Sequence, residues 1–217
     1  MILFDDTWYF PDGETHIPQW MTQVRNRVQG RLRYQGKKYD AAMLLTQRRR
    51  MAVDVGAHVG LWSYWMAEDF ETLHAFEPRA ENRDCWQMNV LADNAYLHGV
   101  GLGDFNGNAS LLINETSSGN TRIVQNGFGI EIRTLDSYQL RTVDFLKIDC
   151  EGYEAFVIEG AMQTIKASHP TIIVEQKPGM GAHYGLSETA AVTLLQSLGY
   201  VLVQNMGGDY LMAFPEV

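Results

Sequence analysis

Residues 51–60 read Met-Ala-Val-Asp-Val-Gly-Ala-His-Val-Gly, and this stretch decides the fold. A short apolar run contains Asp54, a glycine turn follows from Gly56 to Gly60, and an apolar, helix-like segment occupies residues 61–67. A strand, a glycine turn and a helix in this order are typical of an open α/β sheet, which binds ligands at the carboxyl ends of its strands. We therefore expect a nucleotide-sized pocket at this turn.

The rest of the chain continues the same alternation of strands and helices. The predicted elements are strands at 52–55, 72–76, 96–100, 143–148 and 170–174, helices at 79–93, 151–167 and 187–198, and a closing antiparallel hairpin at 200–204 and 210–214. Residues 101–137 are rich in Gly, Asn, Ser and Thr and interrupt this alternation, which predicts an inserted β-meander. The pattern predicts an α/β fold with a mostly parallel, seven-stranded sheet and helices on both faces.

A chain of 217 residues predicts a single globular unit. Within it, we expect residues 1–50 to form an N-terminal accessory segment and residues 51–217 to form the α/β domain. The accessory segment is predicted to contain strands at 7–10 and 31–36 and a short helix from 40, where Asp40 is a candidate N-cap.

The net charge of −9 is distributed unevenly. Residues 25–50 contain nine of the 17 basic residues and a single acid, Asp40. This segment is either an ordinary solvated surface or a docking face for an anionic substrate or partner. The sequence has neither a basic tail nor zinc-finger spacing, so it does not indicate nucleic acid as a ligand.

Composition also bounds the location of the protein. The sequence has no apolar run near the roughly 18 residues that span a membrane, and it begins with acids at Asp5 and Asp6 where a signal peptide needs basic residues. The two cysteines, Cys85 and Cys150, do not make a disulfide framework. We expect a soluble, cytoplasmic protein without a membrane span.

The glycine turn favours one type of nucleotide cofactor. Its spacing is G-x-x-x-G, and Asp54 precedes it, which would repel the pyrophosphate that the dinucleotide fingerprint binds. Glu77 ends the strand at 72–76, where a carboxylate can accept both ribose hydroxyls; the alternative is a helix-start acid. His58, inside the turn, is expected to contact the cofactor through its backbone. The pattern therefore favours S-adenosylmethionine over NAD.

A second group of polar residues follows the strand at 143–148. Asp149 ends this strand, where its carboxylate can take a hydroxyl proton or hold a divalent metal ion. Lys147 lies on the same face of the strand and needs a partner or a substrate, since its surroundings are apolar. The alternative for Lys147 is a buried ion pair with a neighbouring acid.

Four further residues are candidate contacts at this edge of the sheet. Glu175 ends the next strand and is predicted to orient substrate or to share a metal ion with Asp149, or else to be a plain strand-end acid. Glu151 is a candidate substrate contact, with a first-turn helix acid as the alternative. His183 and Tyr184, in a glycine-rich loop, either cover the substrate or belong to a simple turn.

These residues together resemble a known family. Four ordered stretches resemble motifs of class I S-adenosylmethionine-dependent methyltransferases, and the last of them closely resembles the signature of the FkbM type: Val53–Gly60, Phe76-Glu77-Pro78, Gly101-Leu102-Gly103-Asp104, and Phe145–Glu154 with Thr134–Ser137 before it. The resemblance covers residues 51 to about 177. Gly101 stands where the family usually has Ala.

The resemblance implies a Rossmann-like fold and methylation of a hydroxyl group, often on a sugar or a polyketide-type natural product. It also implies the cofactor contacts. Asp54, Gly56 and Gly60, with Ala57 and His58 in the same turn, would line the methionine part, Glu77 the ribose, and Gly103 and Asp104 the adenine.

The predicted reaction is an in-line methyl transfer to a small-molecule or glycan hydroxyl, with Asp149 as base or metal ligand and Lys147 or Glu175 assisting. Two other functions stay open at this point: a dehydrogenase on the same fold, and a non-catalytic binding module that uses the basic face at 25–50. The sequence does not determine the acceptor, metal dependence or oligomeric state.

Overall fold

A computed structural model describes residues 1–112, 122–125 and 129–215. Its strands, in chain order, are β1 (Ile2–Phe4), β2 (Trp8–Phe10), β3 (Arg27–Val28), β4 (Arg31–Leu32), β5 (Met51–Val55), β6 (Thr72–Phe76), β7 (Ala95–His98), β8 (Gly101–Leu102), β9 (Gly107–Leu112), β10 (Arg122–Gln125), β11 (Ile130–Arg133), β12 (Val143–Ile148), β13 (Thr171–Glu175), β14 (Val201–Asn205) and β15 (Asp209–Ala213). Its α-helices are α1 (His16–Val24), α2 (Gly36–Leu45), α3 (Ser63–Asp69), α4 (Ala80–Asn89), α5 (Glu154–Glu159), α6 (Met162–Ser168) and α7 (Ala190–Ser197). Two short 3₁₀ helices lie at Leu135–Tyr138 and Gly181–Tyr184.

The central sheet has seven strands in the order β14-β15-β13-β12-β5-β6-β7. Strands β5, β6, β7, β12 and β13 pair in parallel, and β15 is antiparallel to both β13 and β14. Every residue of β12 and β13 is buried, as expected for strands covered by helices on both faces. The predicted Rossmann-like α/β fold is confirmed. Chain order reverses beside β5, so the ligand crevice lies at the carboxyl ends of β5, β6 and β12.

The helix predicted at 151–167 is two shorter helices. Glu151 has φ +53° and Gly152 has φ +98°, which no helix accepts, so α5 begins only at Glu154. The break between α5 and α6 follows from tertiary contact. A Cβ on Gly160 would overlap the carbonyl oxygen of Gly103, and the Gly160 carbonyl accepts the N–H of Asp136 at 2.9 Å.

The helix predicted at 79–93 ends earlier, at Asn89. The Asn89 side chain accepts the backbone N–H of Tyr9 at 2.8 Å and donates to the carbonyls of Tyr9 and Val59 at 2.9 and 2.8 Å. The next residue, Val90, has extended backbone angles and packs beside the glycine turn. The end of α4 is thus fixed by residues far away in the sequence.

The insertion is a small β-sheet, with strand order β10-β9-β11-β8. The predicted β structure is present, although β9 rather than β10 is the central strand, so the strands do not follow chain order. The parts of the predicted meander at 113–121 and 126–128 lie outside the described residues. Ala109, Ile123 and Ile132 join the main hydrophobic core.

The N-terminal segment packs on the domain that follows it. Trp8 and Phe10 are fully buried in one cluster with residues of the glycine turn and α4. The strand predicted at 7–10 is confirmed, the one at 31–36 is reduced to Arg31–Leu32, and α1 was not predicted. The prediction that Asp40 caps a helix is wrong: α2 begins at Gly36, and Asp40 pairs with Arg33 at 2.8 Å. The boundary at residue 50 stays a proposal.

The basic residues of 25–50 are mostly engaged within the chain. Six of the nine make ion pairs, hydrogen bonds or ring contacts: Arg27 with Asp5, Arg31 with Trp8 and Tyr64, Arg33 with Asp40, Lys38 with Asp209, Arg49 with the Met43 carbonyl, and Arg50 with Asp144. These contacts favour the structural interpretation of the basic segment over a free docking face.

Among the described residues, no helix is long and apolar enough to cross a bilayer. Cys85 is buried and Cys150 is half-buried, and both thiols are free.

Candidate active site

A cavity opens at the carboxyl ends of β5, β6 and β12. The predicted residues that line it are Gly56, Ala57, His58, Glu77, Lys147, Asp149 and Glu151. Apolar side chains from the N-terminal segment, the end of the glycine turn, β6 and the insertion complete the wall: Ile17, Leu61, Phe76, Leu102, Leu111 and Ile123. The cavity therefore lies at the reversal of chain order, where open α/β sheets bind their ligands.

The glycine turn is held tightly against the two neighbouring strands. Gly56 and Ala57 each donate their N–H to the carbonyl of Phe76 at 3.1 Å. Gly56 has φ +74°, and a Cβ there would overlap the carbonyl oxygen of Asp149. Only glycine fits this position, because both the backbone angles and the close approach exclude a side chain.

Glu77 is fixed by backbone donors on both of its oxygens. Its Oε2 accepts the N–H of His58 and its Oε1 accepts the N–H of Arg79, both at 2.9 Å, and Asn82 donates to the same carboxylate. Burial raises the pKa of Glu77, while these hydrogen bonds oppose the rise. The carboxylate thus keeps a single orientation beside the cavity.

Lys147 joins the glycine turn to the end of β12. Its Nζ lies 3.2 Å from Asp54 Oδ1 and 3.7 Å from Asp149 Oδ2, and it donates to the carbonyl of Gly56 at 3.3 Å. Asp54 is fully buried and also accepts a hydrogen bond from Ser63 at 2.7 Å. Burial would lower the pKa of Lys147, but the two carboxylates outweigh it and raise the pKa. Lys147 is therefore a cation, and the ion-pair interpretation from sequence is confirmed.

Asp149 and Glu175 form a hydrogen-bonded pair of carboxyl groups. Burial acts to raise the pKa of Asp149, but Lys147 and Lys177 hold the pKa below its usual value. Burial and the charge of Asp149 raise the pKa of Glu175 to about 9. At neutral pH, Asp149 is the anionic member, and Glu175 holds the proton between them.

Lys177 connects this pair to Glu151. Its Nζ lies 2.7 Å from Glu175 Oε2 and 3.3 Å from Glu151 Oε1. Burial and the charge of Asp149 raise the pKa of Glu151 to about 7. Asp149, Glu151 and Glu175 each offer one oxygen within 4.8 Å of the others, so these three acids are the candidate metal ligands.

Some predicted site residues lie elsewhere. Seven predicted site residues do not line the described part of the cavity: Asp54, Gly60, Gly103, Asp104, Glu175, His183 and Tyr184. A Cβ on Gly60 would lie 2.9 Å from the Trp86 ring, so this glycine serves packing against α4. Asp104 and His183 are exposed, and the Tyr184 hydroxyl donates to the carbonyl of Ile123 at 2.8 Å.

The structure adds site residues that the sequence did not indicate. Tyr34 comes from the N-terminal segment, lines the cavity, and accepts a hydrogen bond from Gln35 at 3.3 Å. Burial, and then the charges of Asp149 and Glu175, raise the pKa of Tyr34, which lies near that pair. Lys177 also lines the cavity, and its position two residues after the strand-end Glu175 was the available indication.

Known proteins of similar structure share the fold. A methyltransferase from Geobacter sulfurreducens is 16% identical, with a TM-score of 0.54 and coverage of 96% of this chain and 91% of that one. SMU.1697c of Streptococcus mutans, a candidate methyltransferase in complex with SAH, is 10% identical, with a TM-score of 0.53 and coverage of 82% and 94%. At these identities, the likeness concerns the fold alone.

A methyltransferase FkbM from Methylobacillus flagellatus KT is 20% identical, with a TM-score of 0.49; this chain is covered over 77% and spans 44% of that one. No curated protein matches the chain. The family model described as the methyltransferase FkbM domain matches residues 54–202, a range that includes the glycine turn, Glu77 and the end of β12. The chain therefore belongs to the FkbM family of S-adenosylmethionine-dependent class I methyltransferases.

Proposed function

We propose that this protein methylates a hydroxyl oxygen of a sugar, glycan or natural-product-like small molecule. When bound, S-adenosylmethionine supplies a methyl group that is already activated on a sulfonium centre. The protein's own task is to bind this cofactor, to align the acceptor oxygen with the methyl group, and to take up the hydroxyl proton.

The cavity residues fit the cofactor. The Glu77 carboxylate accepts two backbone N–H groups and the Asn82 side chain, which leaves about one of its four lone-pair sites for a ribose hydroxyl. The apolar side chains of Phe76, Leu102 and Ile123 offer a surface for a flat base. Asp54 and the turn from Gly56 to His58 are proposed to hold the methionine part.

Asp149 is the proposed base, and its position is the observation that carries the proposal. Its side chain is 24% exposed, lines the cavity, and touches Lys147 and Glu175. Because it is anionic at neutral pH, it can accept the hydroxyl proton as the oxygen attacks. Lys147 fixes its orientation from one side, and Glu175 assists by donating a hydrogen bond from the other.

The acceptor is proposed to lie between Asp149 and the N-terminal segment. Glu151 and Tyr34 both line this part of the cavity and offer polar atoms to an acceptor rich in hydroxyls. His183 and Tyr184 stay predicted acceptor contacts, although the Tyr184 hydroxyl is engaged with the insertion.

The test combines cofactor binding and methyl transfer. Calorimetry with S-adenosylhomocysteine measures binding, and tritium transfer from labelled S-adenosylmethionine across a panel of glycosides and polyketide-type alcohols measures the reaction. We expect Asp149→Asn to lose transfer and to keep cofactor affinity, while the exposed Asp93→Asn changes neither. Transfer to amines or thiols alone would contradict hydroxyl methylation. Lost cofactor affinity in Asp149→Asn would assign Asp149 to binding instead.

A further inference from the structure

The carboxylate cluster at the ends of β12 and β13 contains its own cation. We propose that Lys177 takes the position that a divalent metal ion would otherwise fill among Asp149, Glu151 and Glu175, so that the base Asp149 works without a metal. The catalytic part of this proposal rests on the proposed function; the electrostatic part does not.

The distances place the ammonium group inside the candidate ligand set. The three carboxylates offer oxygens within 4.8 Å of one another, a spacing that oxygen ligands around one hard cation also have. Lys177 Nζ is 2.7 Å from Glu175 and 3.3 Å from Glu151, so it already contacts two of the three acids. An incoming cation would have to displace this ammonium and would be repelled by it.

The charges around the cluster lead to the same conclusion. Lys147 is paired with Asp54 and with Asp149, and Lys38 is paired with Asp209. Lys177 contacts both Glu151 and Glu175, and the charge on Asp149 acts on it as well, so this lysine supplies counter-charge beyond that of those two cations. Without Lys177, the three clustered carboxyl groups would lose this counter-charge and would attract a cation from solvent.

Lys177 reaches the cluster from the surface. Its side chain is 45% exposed, whereas the carboxyl groups of Glu151 and Glu175 are nearly buried. A substitution here therefore removes the ammonium without opening a cavity in the core, and the surrounding fold should persist. Lys177 is a positioning residue in this scheme, since it acts on the acceptor through the carboxylates.

The experiment measures Mn²⁺ binding to the full chain by electron paramagnetic resonance, without any acceptor. We expect the wild type and Lys177→Arg to bind Mn²⁺ weakly and alike. We expect Lys177→Met to gain affinity by about tenfold or more, because three hard oxygen ligands become available. Adding Glu151→Gln to Lys177→Met should remove this gain. Lys38→Met, which removes the partner of Asp209 but leaves Lys177 on the cluster, should not show the gain. If Lys177→Met does not fold, Lys177→Gln replaces it.

Two results would overturn the proposal. One is saturable Mn²⁺ binding by the wild type that Asp149→Asn abolishes, since Lys177 would then yield its place to a metal. The other is an unchanged Mn²⁺ affinity in folded Lys177→Met. Once an acceptor is known, two results support the catalytic part. Methyl transfer by the wild type should continue in the presence of chelators, and Lys177→Arg should retain transfer that Lys177→Met loses. Failure of hydroxyl methylation in every assay, together with the gain in Mn²⁺ affinity, would reject the proposed function and leave the cation role standing.

Discussion

The backbone of Gly56 passes against the carbonyl oxygen of Asp149, so closely that a Cβ on Gly56 would overlap that oxygen. This contact joins the proposed cofactor turn to the proposed base. The pairing of β5 with β12 reinforces this contact, since the N–H of Asp149 donates to the carbonyl of Val55 at 3.1 Å. The distance between the two halves of the site is therefore set by the backbone, and side chains then refine it.

Replacing Gly56 by alanine should displace the end of β12. We expect Gly56→Ala to lose most binding of S-adenosylhomocysteine and to lower the free energy of unfolding by more than the roughly 1–2 kcal/mol that a left-handed alanine costs. Gly207→Ala is the matched control, because Gly207 has nearly the same φ, +73°, but open space around it. Calorimetry and urea unfolding measure both variants. Equal losses in the two would mean that backbone angle alone explains the glycine.

Removing Lys147 should leave two carboxylates without their shared cation. We expect Lys147→Met to cost about 3–5 kcal/mol in the free energy of unfolding, because a buried ion pair that loses one partner keeps an uncompensated charge. Adding Asp54→Asn should restore part of this loss. The exposed Lys166→Met should change stability by less than about 0.5 kcal/mol. Strictly additive losses in the double variant would argue against the Asp54–Lys147 pair.

Glu77 should contribute to affinity through the ribose. In Glu77→Gln, the NH2 of the new amide replaces one carboxylate oxygen. This NH2 faces a backbone N–H donor and cannot accept a hydrogen bond from a ribose hydroxyl. We expect the dissociation constant of S-adenosylhomocysteine to rise about tenfold or more, since hydrogen bonds to charged groups contribute about 1.5–3 kcal/mol. The variant should also distinguish less between this ligand and its 2′-deoxy form. Glu81→Gln, on the exposed face of α4, should bind both ligands like the wild type. An unchanged preference for the ribose 2′-hydroxyl would refute the role of Glu77.

Much of the site could be predicted because strand ends converge. Asp54, Glu77 and Asp149 were identified from their places in or after apolar runs, and parallel pairing of β5, β6 and β12 brings these runs to one edge. The residues that sequence missed depend on contacts between distant segments. Tyr34 reaches the cavity because the N-terminal segment folds over the sheet. The next residue, Gln35, fixes this position by accepting a hydrogen bond from the Trp62 indole at 2.9 Å.

The helix boundaries show the same limit. Local patterns predicted a continuous helix after Asp149, because its apolar positions form one stripe. The chain breaks that helix at Gly160 to fit the backbone of Gly103, a contact that no local pattern records. Strands of the sheet were easier to predict than helix boundaries. A short, mostly apolar run such as 143–148 is typical of a strand that is buried on both faces, and β12 is fully buried.

The last prediction concerns pH and the buried Glu154. Its side chain is 1% exposed, and its Oε1 accepts the N–H groups of Cys150 and Gly152 at 3.0 and 2.9 Å. Burial raises the pKa of Glu154 to about 7, and the charge of Asp149 adds to the rise, against an ordinary value of 4.5. The folded state therefore binds this proton more tightly than the unfolded state does.

The sign of the effect follows from this difference. Stability from Glu154 is fully present below pH 4.5 and is lost as the pH rises towards 7, by an amount on the order of 3 kcal/mol. Glu154→Gln keeps an oxygen acceptor for both N–H groups but does not titrate. We expect urea unfolding of the variant to depend less on pH between 4.5 and 7 than that of the wild type, whereas the exposed Glu188→Gln should follow the wild type. Parallel curves for Glu154→Gln and the wild type would show that the proton is bound elsewhere, and Glu151, whose pKa is raised to about 7 by the same causes, would be the next residue to test.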